Sequence, residues 1–185
     1  MIEDLVRDLE QEIERTVATL RKDLARVRTG RASPALLDGI VVDYYGSSTP
    51  LNRICTITTP EPRLLLLQAY DLSALPQIER AIRASDLGLN PSNDGKVIRV
   101  PFPELTQERR KELVRHIRKM AEEFRISARN HRRECLEKMK QMEKAKEIPE
   151  DLHKKSQEKV EKITSLAIDK IEKIVQAKEE EILKV

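Results

Sequence analysis

Several kinds of residue are scarce in this chain of 185 residues, and each scarcity narrows what the chain can be. Tryptophan is absent and aromatic residues make up 3%, so any hydrophobic core must be mainly aliphatic. Two cysteines, Cys55 and Cys135, are too few for a disulfide framework, and we expect both to be small buried side chains. No run of about 18 apolar residues and no secretion signal is found, so we expect a cytoplasmic protein without a membrane span.

Residues that carry catalysis or bind metals are also few. The three histidines have no cysteine or carboxylate at the spacing that a metal site needs. The segment Asn93–Lys96 has a single glycine ahead of its lysine, so it predicts a turn rather than a phosphate-binding loop. Ser33 lacks the glycines that flank an activated serine nucleophile. We therefore expect no enzymatic activity, no metal and no cofactor.

Glycine and proline, the residues that break helices, are confined to one central block. All five glycines lie between positions 30 and 95, and eight of the nine prolines lie between positions 34 and 103, the ninth being Pro149. Apolar residues spaced by three and four predict one amphipathic helix before this block and two after it. Because such helices are stable in water only when their apolar stripes are covered, they predict an elongated three-helix bundle.

The expected limits of these helices follow from their capping residues. Gly30 suits the left-handed residue that ends the first helix. Thr106 is the expected N-cap of the second helix, which should stop at Ile148 before Pro149, the first residue of the third. The predicted stripes are Ile2, Leu5, Leu9, Ile13, Val17, Leu20, Leu24 and Val27; then Val114, Ile117, Ala121, Phe124, Ala128, His131, Cys135 and Met142; then Leu152, Ser156, Val160, Ile163, Ala167, Ile171, Ile174 and Ile182.

The central block has the pattern of a small mixed domain. Its segments GIVVDYYG, RICTITT, RLLLLQAY and KVIRV predict strands, and SALPQIERAIRASDLG predicts a short helix. The expected fold class is α+β, with a three-helix bundle formed by residues 1–30 and 104–185 and an inserted β/α/β domain formed by residues 31–103. The chain crosses between the domains twice, near residues 29–32 and 101–105.

Two neighbouring crossings permit bending and resist free rotation, so they predict a hinge between the domains. The alternative is that Gly30 only caps the first helix and that the two domains pack rigidly. Composition favours neither interpretation over the other.

Positive charge is concentrated on the second helix. Residues 106–135 contain ten lysines or arginines and five acidic residues, eight of the ten are arginines, and no arginine follows Arg133. Arginine binds phosphate with two hydrogen bonds and stacks on bases, whereas lysine is a mobile point charge. The basic residues that share about a third of the helical wheel are Lys111, Arg115, Arg118, Arg125, Arg129, Arg132 and Arg133.

Two interpretations of these arginines are open. They form either a surface for RNA or another polyanion, or a solvated face that pairs with acidic residues of neighbouring helices, such as Glu10 or Glu14. The lysine-only sequence after Arg133 favours the first interpretation. That interpretation expects the guanidinium groups to lie on one side of the helix, free of internal ion pairs.

Four segments in a fixed order resemble the bacterial ribosome recycling factor family. They are RTGRASPALLDGIVVDYYG, ASDLGLNP, IRVPFPELTQERR and ARNHRR, and the similarity extends to the C-terminal KEIPEDLHKKSQEKVEKIT. The family has a three-helix bundle and a smaller α+β domain, joined by two hinge segments in an L shape similar to that of tRNA. The resemblance therefore implies the same two-domain arrangement here.

The resemblance also implies a function. Such a factor binds the large ribosomal subunit after termination, across the A and P sites, through ribosomal RNA. With elongation factor G and GTP it splits the subunits and releases mRNA and deacylated tRNA, and GTP is hydrolysed by the elongation factor. We expect a monomer with these partners. The alternative, suggested by the residues alone, is a coiled-coil scaffold that self-associates through its apolar stripes.

Some of the expected site residues are taken from positions that match the family, among them Gly30 and Pro103, and others from the arginine pattern of the second helix. Arg132 is the residue most strongly expected to contact ribosomal RNA, with Arg129 and Arg133 beside it. The further expected contacts are Arg125, Arg118 and Arg110 on the same helix and Arg28 and Arg31 at the joint. The expected hinge residues are Thr29, Gly30, Arg31, Pro101, Pro103 and Glu104. The chain departs from the common family pattern at His131, which we expect at the edge of the core, and some members lack Pro149.

Overall fold

The computed structural model describes residues 1–184, which pack into two compact units. One unit comprises residues 1–24 and 112–181, and the other comprises residues 25–111 and 182–184. The domain limits expected near residues 30 and 104 stay a prediction. Within the described part of the chain, no helix combines the length and the apolar character that a membrane span requires.

The regular elements follow one another in this order. They are α1 (Ile2–Ala25), β1 (Val41–Tyr44), β2 (Ser47–Pro50), α2 (Leu51–Ile54), β3 (Cys55–Glu61), β4 (Leu64–Ala69), α3 (Leu75–Ala84), β5 (Ser92–Asn93), β6 (Ile98–Pro101), α4 (Gln107–Lys144) and α5 (Glu150–Lys184). Two 3-10 helices, Pro34–Leu37 and Leu72–Ala74, precede β1 and α3.

A shared aliphatic core joins the three long helices of the first unit. Its buried members are Ile2, Leu9 and Ile13 from α1, Cys135 and Met139 from α4, Val160 and Ala167 from α5, and Ile148 from the connection between α4 and α5. The apolar stripe of each helix is thereby covered by the other two, which makes helices of 38 and 35 residues stable in water. The predicted three-helix bundle is confirmed.

The long helices end earlier than the sequence predicts. α1 ends at Ala25, so Gly30 is not its cap, although its φ of 77° has the left-handed value that was expected. α4 ends at Lys144 rather than at Ile148. Lys146, with a φ of 59°, supplies the left-handed residue at which the chain leaves α4. A non-glycine residue in this conformation gives little signal in the sequence, so the sequence does not predict the early end of α4.

The apolar stripes differ from the prediction at a few positions. On α4, Leu113 and Met139 are buried, whereas Val114 and Met142 of the predicted stripe are only partly buried. On α5, Leu152 was assigned to the stripe but is 38% exposed. The first turns of a helix lie at the edge of a bundle, where an apolar residue is not forced inside.

The cysteines and His131 lie where the sequence predicts. Cys55 and Cys135 are both buried, and burial raises the pKa of the Cys55 thiol to about 11. The pKa of Cys135 is also raised, again mainly by burial. A thiol with a raised pKa is a poor nucleophile, so both act as small core residues. His131, inside α4, is partly buried, as expected of a residue at the edge of the core.

The second unit contains a four-stranded antiparallel sheet and a separate β1–β2 hairpin. The strands of the sheet follow the order β3-β4-β6-β5. Leu65 and Leu67 of β4 pair with Val100 and Ile98 of β6, and all four side chains have no exposed surface. α3 contributes its buried side chains to the same core. The unit and the bundle together confirm the predicted α+β fold class.

A polar cluster ties the β1–β2 hairpin to the segment that precedes α3. The hydroxyl groups of Tyr44 and Tyr45 donate to Oδ2 of Asp71 at 3.1 and 3.0 Å, and the backbone N–H and hydroxyl of Ser73 donate to Oδ1 at 3.0 and 2.7 Å. These bonds, chiefly those from Ser73, hold the pKa of Asp71 below its ordinary value. Tyr45 is nevertheless 80% exposed, and Tyr70, the remaining tyrosine, belongs to the same unit.

Candidate nucleic-acid interface

Four of the eight arginines predicted to bind RNA lie along one side of α4. We call these four the arginine surface, namely Arg118, Arg125, Arg129 and Arg132. From Arg118 to Arg132 the helix rises about 21 Å, so the surface is a row rather than a cluster. Arg133 lies beside it, is exposed, and donates from Nη2 to Oδ1 of Asn130 at 2.8 Å.

Three members of the arginine surface form ion pairs with α5. Arg118 donates from Nε and Nη2 to the two carboxylate oxygens of Glu179, at 2.7 and 3.1 Å. Nη1 of Arg125 donates to Glu172 at 3.0 Å. Nη1 of Arg132 donates to Glu161 at 3.2 Å. The α5 glutamates therefore meet the row of arginines over its whole length.

One glutamate of α4 itself completes the set of ion pairs. Glu122 accepts a hydrogen bond from Nε of Arg125 at 2.8 Å and another from Nη1 of Arg129 at 3.2 Å. The bond from Arg125 is the main reason why the pKa of Glu122 lies below its ordinary value. Each of the four guanidinium groups of the arginine surface thus contacts at least one carboxylate.

The expectation that these arginines are free of internal ion pairs was wrong. The alternative prediction of pairing with a neighbouring helix is realised, but the partners lie on α5 and on α4 rather than at Glu10 or Glu14 of α1. The reason is geometric, because the side of α4 that carries the arginines borders α5. Apolar periodicity shows which face of a helix is buried but does not show which neighbour flanks it.

Most of these ion pairs are open to solvent. The side chain of Arg118 is 67% exposed, and in the Arg132 pair the arginine is 35% and Glu161 48% exposed. Exposed ion pairs contribute little to stability and are screened by salt. Arg125 is the exception, since its side chain is only 18% exposed. At the exposed positions of the row, the guanidinium groups therefore remain in contact with solvent.

The remaining predicted RNA contacts lie in the second unit. Arg110 donates from Nη1 to the backbone oxygen of Leu183 at 3.0 Å. Arg28 is partly buried, and its pKa is lowered by burial and, to a smaller extent, by the nearby charge of Arg109. Arg31 is exposed. That these three residues contact RNA stays a prediction.

Both crossing segments are tied to one turn of the α+β unit. The backbone N–H of Ala32 donates to the oxygen of Pro62 at 2.7 Å, and that of Phe102 donates to the oxygen of Arg63 at 2.8 Å. Nη1 of Arg63 also lies 2.9 Å from Oε1 of Glu104. Because Pro62 and Arg63 form the turn between β3 and β4, positions 32 and 102 are held by the sheet. The two crossing segments are residues 26–31, after α1, and residues 103–106, before α4.

The predicted hinge residues differ in how firmly they are held. Thr29 is 1% exposed, and the adjacent Gly30 is also buried with its left-handed φ. Arg31, Pro103 and Glu104 are exposed. Pro101 is the last residue of β6 and pairs with Leu64, so its backbone belongs to the sheet.

The glutamates of α5 are the site residues that the sequence did not reveal. Glu172 and Glu179 are separated by seven residues, as are Arg118, Arg125 and Arg132 on α4. Opposite charges that recur every seven residues on adjacent helices predict such pairs, as they do beside the apolar seam of a coiled coil. Among residues 1–184, no group of three or more histidine, cysteine or acidic residues is arranged to hold a metal ion.

Comparison with known proteins decides the family. The model of the ribosome recycling factor family matches residues 20–183. The chain belongs to the ribosome recycling factor family. The ribosome-recycling factor of Syntrophomonas wolfei subsp. wolfei is 51% identical over 185 residues, with 100% of both chains covered. That of Natranaerobius thermophilus is 48% identical over 181 residues, with 98% of each covered.

Solved structures of ribosome recycling factors share this fold. A solution structure of a ribosome recycling factor matches with a TM-score of 0.82 and 43% identity, covering 100% of this chain and 98% of the other. A second match has a TM-score of 0.69 and 45% identity and covers 99% of each chain. It comes from models of the T. thermophilus ribosome recycling factor and the E. coli elongation factor G bound to the E. coli post-termination complex. Membership makes this protein a translation factor that acts in ribosome recycling.

Proposed function

We propose that this chain binds the post-termination ribosome through large-subunit ribosomal RNA across the A and P sites. With elongation factor G and GTP it splits the subunits and releases mRNA and deacylated tRNA. The proposal is supported by the chain's family and by its similarity to a factor described as bound, with elongation factor G, to a post-termination complex. The observation that carries it is the row of four arginines on α4, of which Arg118, Arg129 and Arg132 are open to solvent.

The arginine surface suits a nucleic acid for two physical reasons. Planar guanidinium groups bind phosphate oxygens with two parallel hydrogen bonds, and a row of them on a long helix can follow a phosphate backbone. Arg132 is proposed as the main RNA contact, with Arg118, Arg125, Arg129 and Arg133 beside it. Since neutralised phosphates release counterions, binding should weaken steeply as the salt concentration rises. Arg110, Arg28 and Arg31 are proposed as additional contacts of the second unit.

The joint is proposed to let the α+β domain move while the bundle stays bound. The ties at Ala32 and Phe102 keep the ends of both crossing segments on the sheet. Motion is then absorbed by residues 26–31 and 103–106, which include Thr29, Gly30, Arg31, Pro103 and Glu104. In this proposal elongation factor G pushes on the α+β domain, and the displacement is transmitted to the contacts between the subunits.

A splitting assay tests the proposed function. Post-termination ribosomes are mixed with the chain, elongation factor G and GTP, and light scattering is followed. We expect scattering to fall only when all three are present, because GTP hydrolysis by the elongation factor drives the separation. Ribosomes that stay intact in the complete mixture would contradict the proposal. In sedimentation the chain should be a monomer, because the apolar stripes are covered by one another; a stable oligomer would favour the scaffold alternative.

Replacing Gly30 by proline tests the hinge. The φ of Gly30 is 77°, and proline fixes φ near −65°, so the joint is forced into another conformation with less freedom. We expect the splitting rate to fall several-fold while affinity for large subunits changes by less than about twofold, the size of a small surface effect. Gly39→Pro is the matched control, since Gly39 has a φ of 85° and lies outside the joint. Normal splitting by the Gly30 variant would refute the hinge role.

A further inference from the structure

The arginine surface is opposed by a matching row of acidic residues on α5. Arg118, Arg125 and Arg132 follow one another at intervals of seven residues, and each pairs with a different α5 glutamate. We call these partners the glutamate row, which consists of Glu179, Glu172 and Glu161. Their order along α5 is the reverse of the order of the arginines on α4, as antiparallel helices require. The first two glutamates keep the seven-residue interval of the arginines, whereas Glu161 lies eleven residues from Glu172, so the acidic row follows the arginine row without an exact repeat.

The carboxylates of the glutamate row take positions that phosphates would take. Glu179 receives two parallel hydrogen bonds from Arg118, at 2.7 and 3.1 Å, which is the geometry in which arginine holds a phosphate. Glu172 and Glu161 each receive one hydrogen bond, at 3.0 and 3.2 Å. An arginine that contacts a carboxylate has part of its charge neutralised and some of its N–H groups engaged. An RNA phosphate must therefore displace these carboxylates.

We infer that the glutamate row competes with RNA phosphates for the arginine surface and so sets both its affinity and its selectivity. The inference rests on the proposed binding of ribosomal RNA. An RNA that meets one arginine at a time gains little, because it replaces one anion by another. A folded RNA whose phosphates contact three arginines at once binds more tightly, because the contacts are multivalent. Such an RNA displaces the carboxylates of the glutamate row. The glutamate row thus lowers the affinity for unstructured RNA more than it lowers the affinity for the ribosomal site.

Glutamine substitutions in the glutamate row test this inference. Glu161→Gln, Glu172→Gln, Glu179→Gln and the triple variant keep the shape of the side chain and remove its charge. Glu158→Gln is the matched control, because Glu158 is an exposed residue of α5 and makes none of these ion pairs. Affinity is measured by pelleting with purified large subunits and by binding to poly(U), a single-stranded RNA without stable structure. Thermal unfolding of each variant shows whether the bundle is intact.

The expected result is tighter binding with reduced selectivity. Each single variant should bind large subunits about twofold to fivefold more tightly, the range that an exposed ion pair spans, and the triple variant about tenfold or more. The gain for poly(U) should exceed the gain for large subunits. Glu158→Gln should change either affinity by less than about twofold, because it alters only the overall charge.

Three results would overturn the inference. Unchanged affinity of the triple variant would show that the row does not compete, and an equal gain in Glu158→Gln would show that overall charge alone acts. Weaker binding would show that the glutamates hold the arginines in their binding geometry instead. Arg132→Ala, measured in the same assay, separates these failures from failure of the proposed function. If Arg132→Ala weakens binding, the arginine surface binds RNA and only the proposed competition is rejected. If Arg132→Ala has no effect, the proposal that the arginine surface binds RNA is itself rejected.

Discussion

Replacing Arg132 by alanine is expected to weaken binding to purified large ribosomal subunits by about tenfold to a hundredfold, the loss typical of a charged hydrogen bond. Arg132 is 35% exposed and its single bond to Glu161 is 3.2 Å long, so its guanidinium can exchange the carboxylate for a phosphate. The bundle should be unaffected, because an exposed ion pair contributes little to folding. Pelleting at several salt concentrations measures the effect, and the salt dependence should become less steep.

Two further variants make the Arg132 experiment specific. Arg21→Ala removes the same side chain and the same charge from an exposed position on α1, and should leave the affinity nearly unchanged. Arg132→Lys keeps the charge but loses the planar fork, so its affinity should lie between that of the wild type and that of Arg132→Ala. Equal losses in Arg132→Ala and Arg21→Ala would assign the effect to overall charge and reject the arginine surface.

Replacing Leu9 by alanine is expected to lower the free energy of unfolding of the bundle by about 2–5 kcal/mol. Leu9 lies on α1, is 4% exposed, and belongs to the core that Met139 of α4 and Val160 of α5 share. Truncation removes apolar contacts to both neighbouring helices and leaves a cavity that close packing fills only in part. Urea unfolding followed by the far-ultraviolet circular dichroism of the helices measures the loss.

Leu166→Ala is the matched control for the core experiment. Leu166 lies on α5 and is 59% exposed, so the same truncation removes little buried surface and should change stability by less than about 0.5 kcal/mol. A loss in Leu9→Ala no greater than that in Leu166→Ala would show that α1 does not pack into a shared core.

The architecture could be predicted from the sequence because apolar periodicity and the distribution of helix breakers report it directly. The spacing of Leu9, Ile13 and their neighbours defines a stripe whatever lies opposite, and glycine and proline mark the block without long helices. The ends of the helices were harder to predict. The left-handed turn at Lys146 is made by a residue with no intrinsic preference for it, so it depends on the surrounding fold.

The ion pairs of the arginine surface could not be predicted, because they depend on how α4 and α5 are aligned. Composition showed that arginines share one side of α4, but pairing of Arg125 with Glu172 requires the axial offset between the helices. Likewise, Pro101 resembles a hinge residue in the sequence, since prolines often mark linkers. Its pairing with Leu64 depends on a strand formed far away along the chain.

All three tyrosines, Tyr44, Tyr45 and Tyr70, lie in the α+β unit, so they are an intrinsic fluorescent probe of that unit. With no tryptophan in the chain, its ultraviolet fluorescence comes mainly from these phenol rings and so reports on the α+β unit. Circular dichroism at 222 nm is instead dominated by α1, α4 and α5. Recording both signals during one denaturation would show whether the two units melt together or in succession, without attaching a dye.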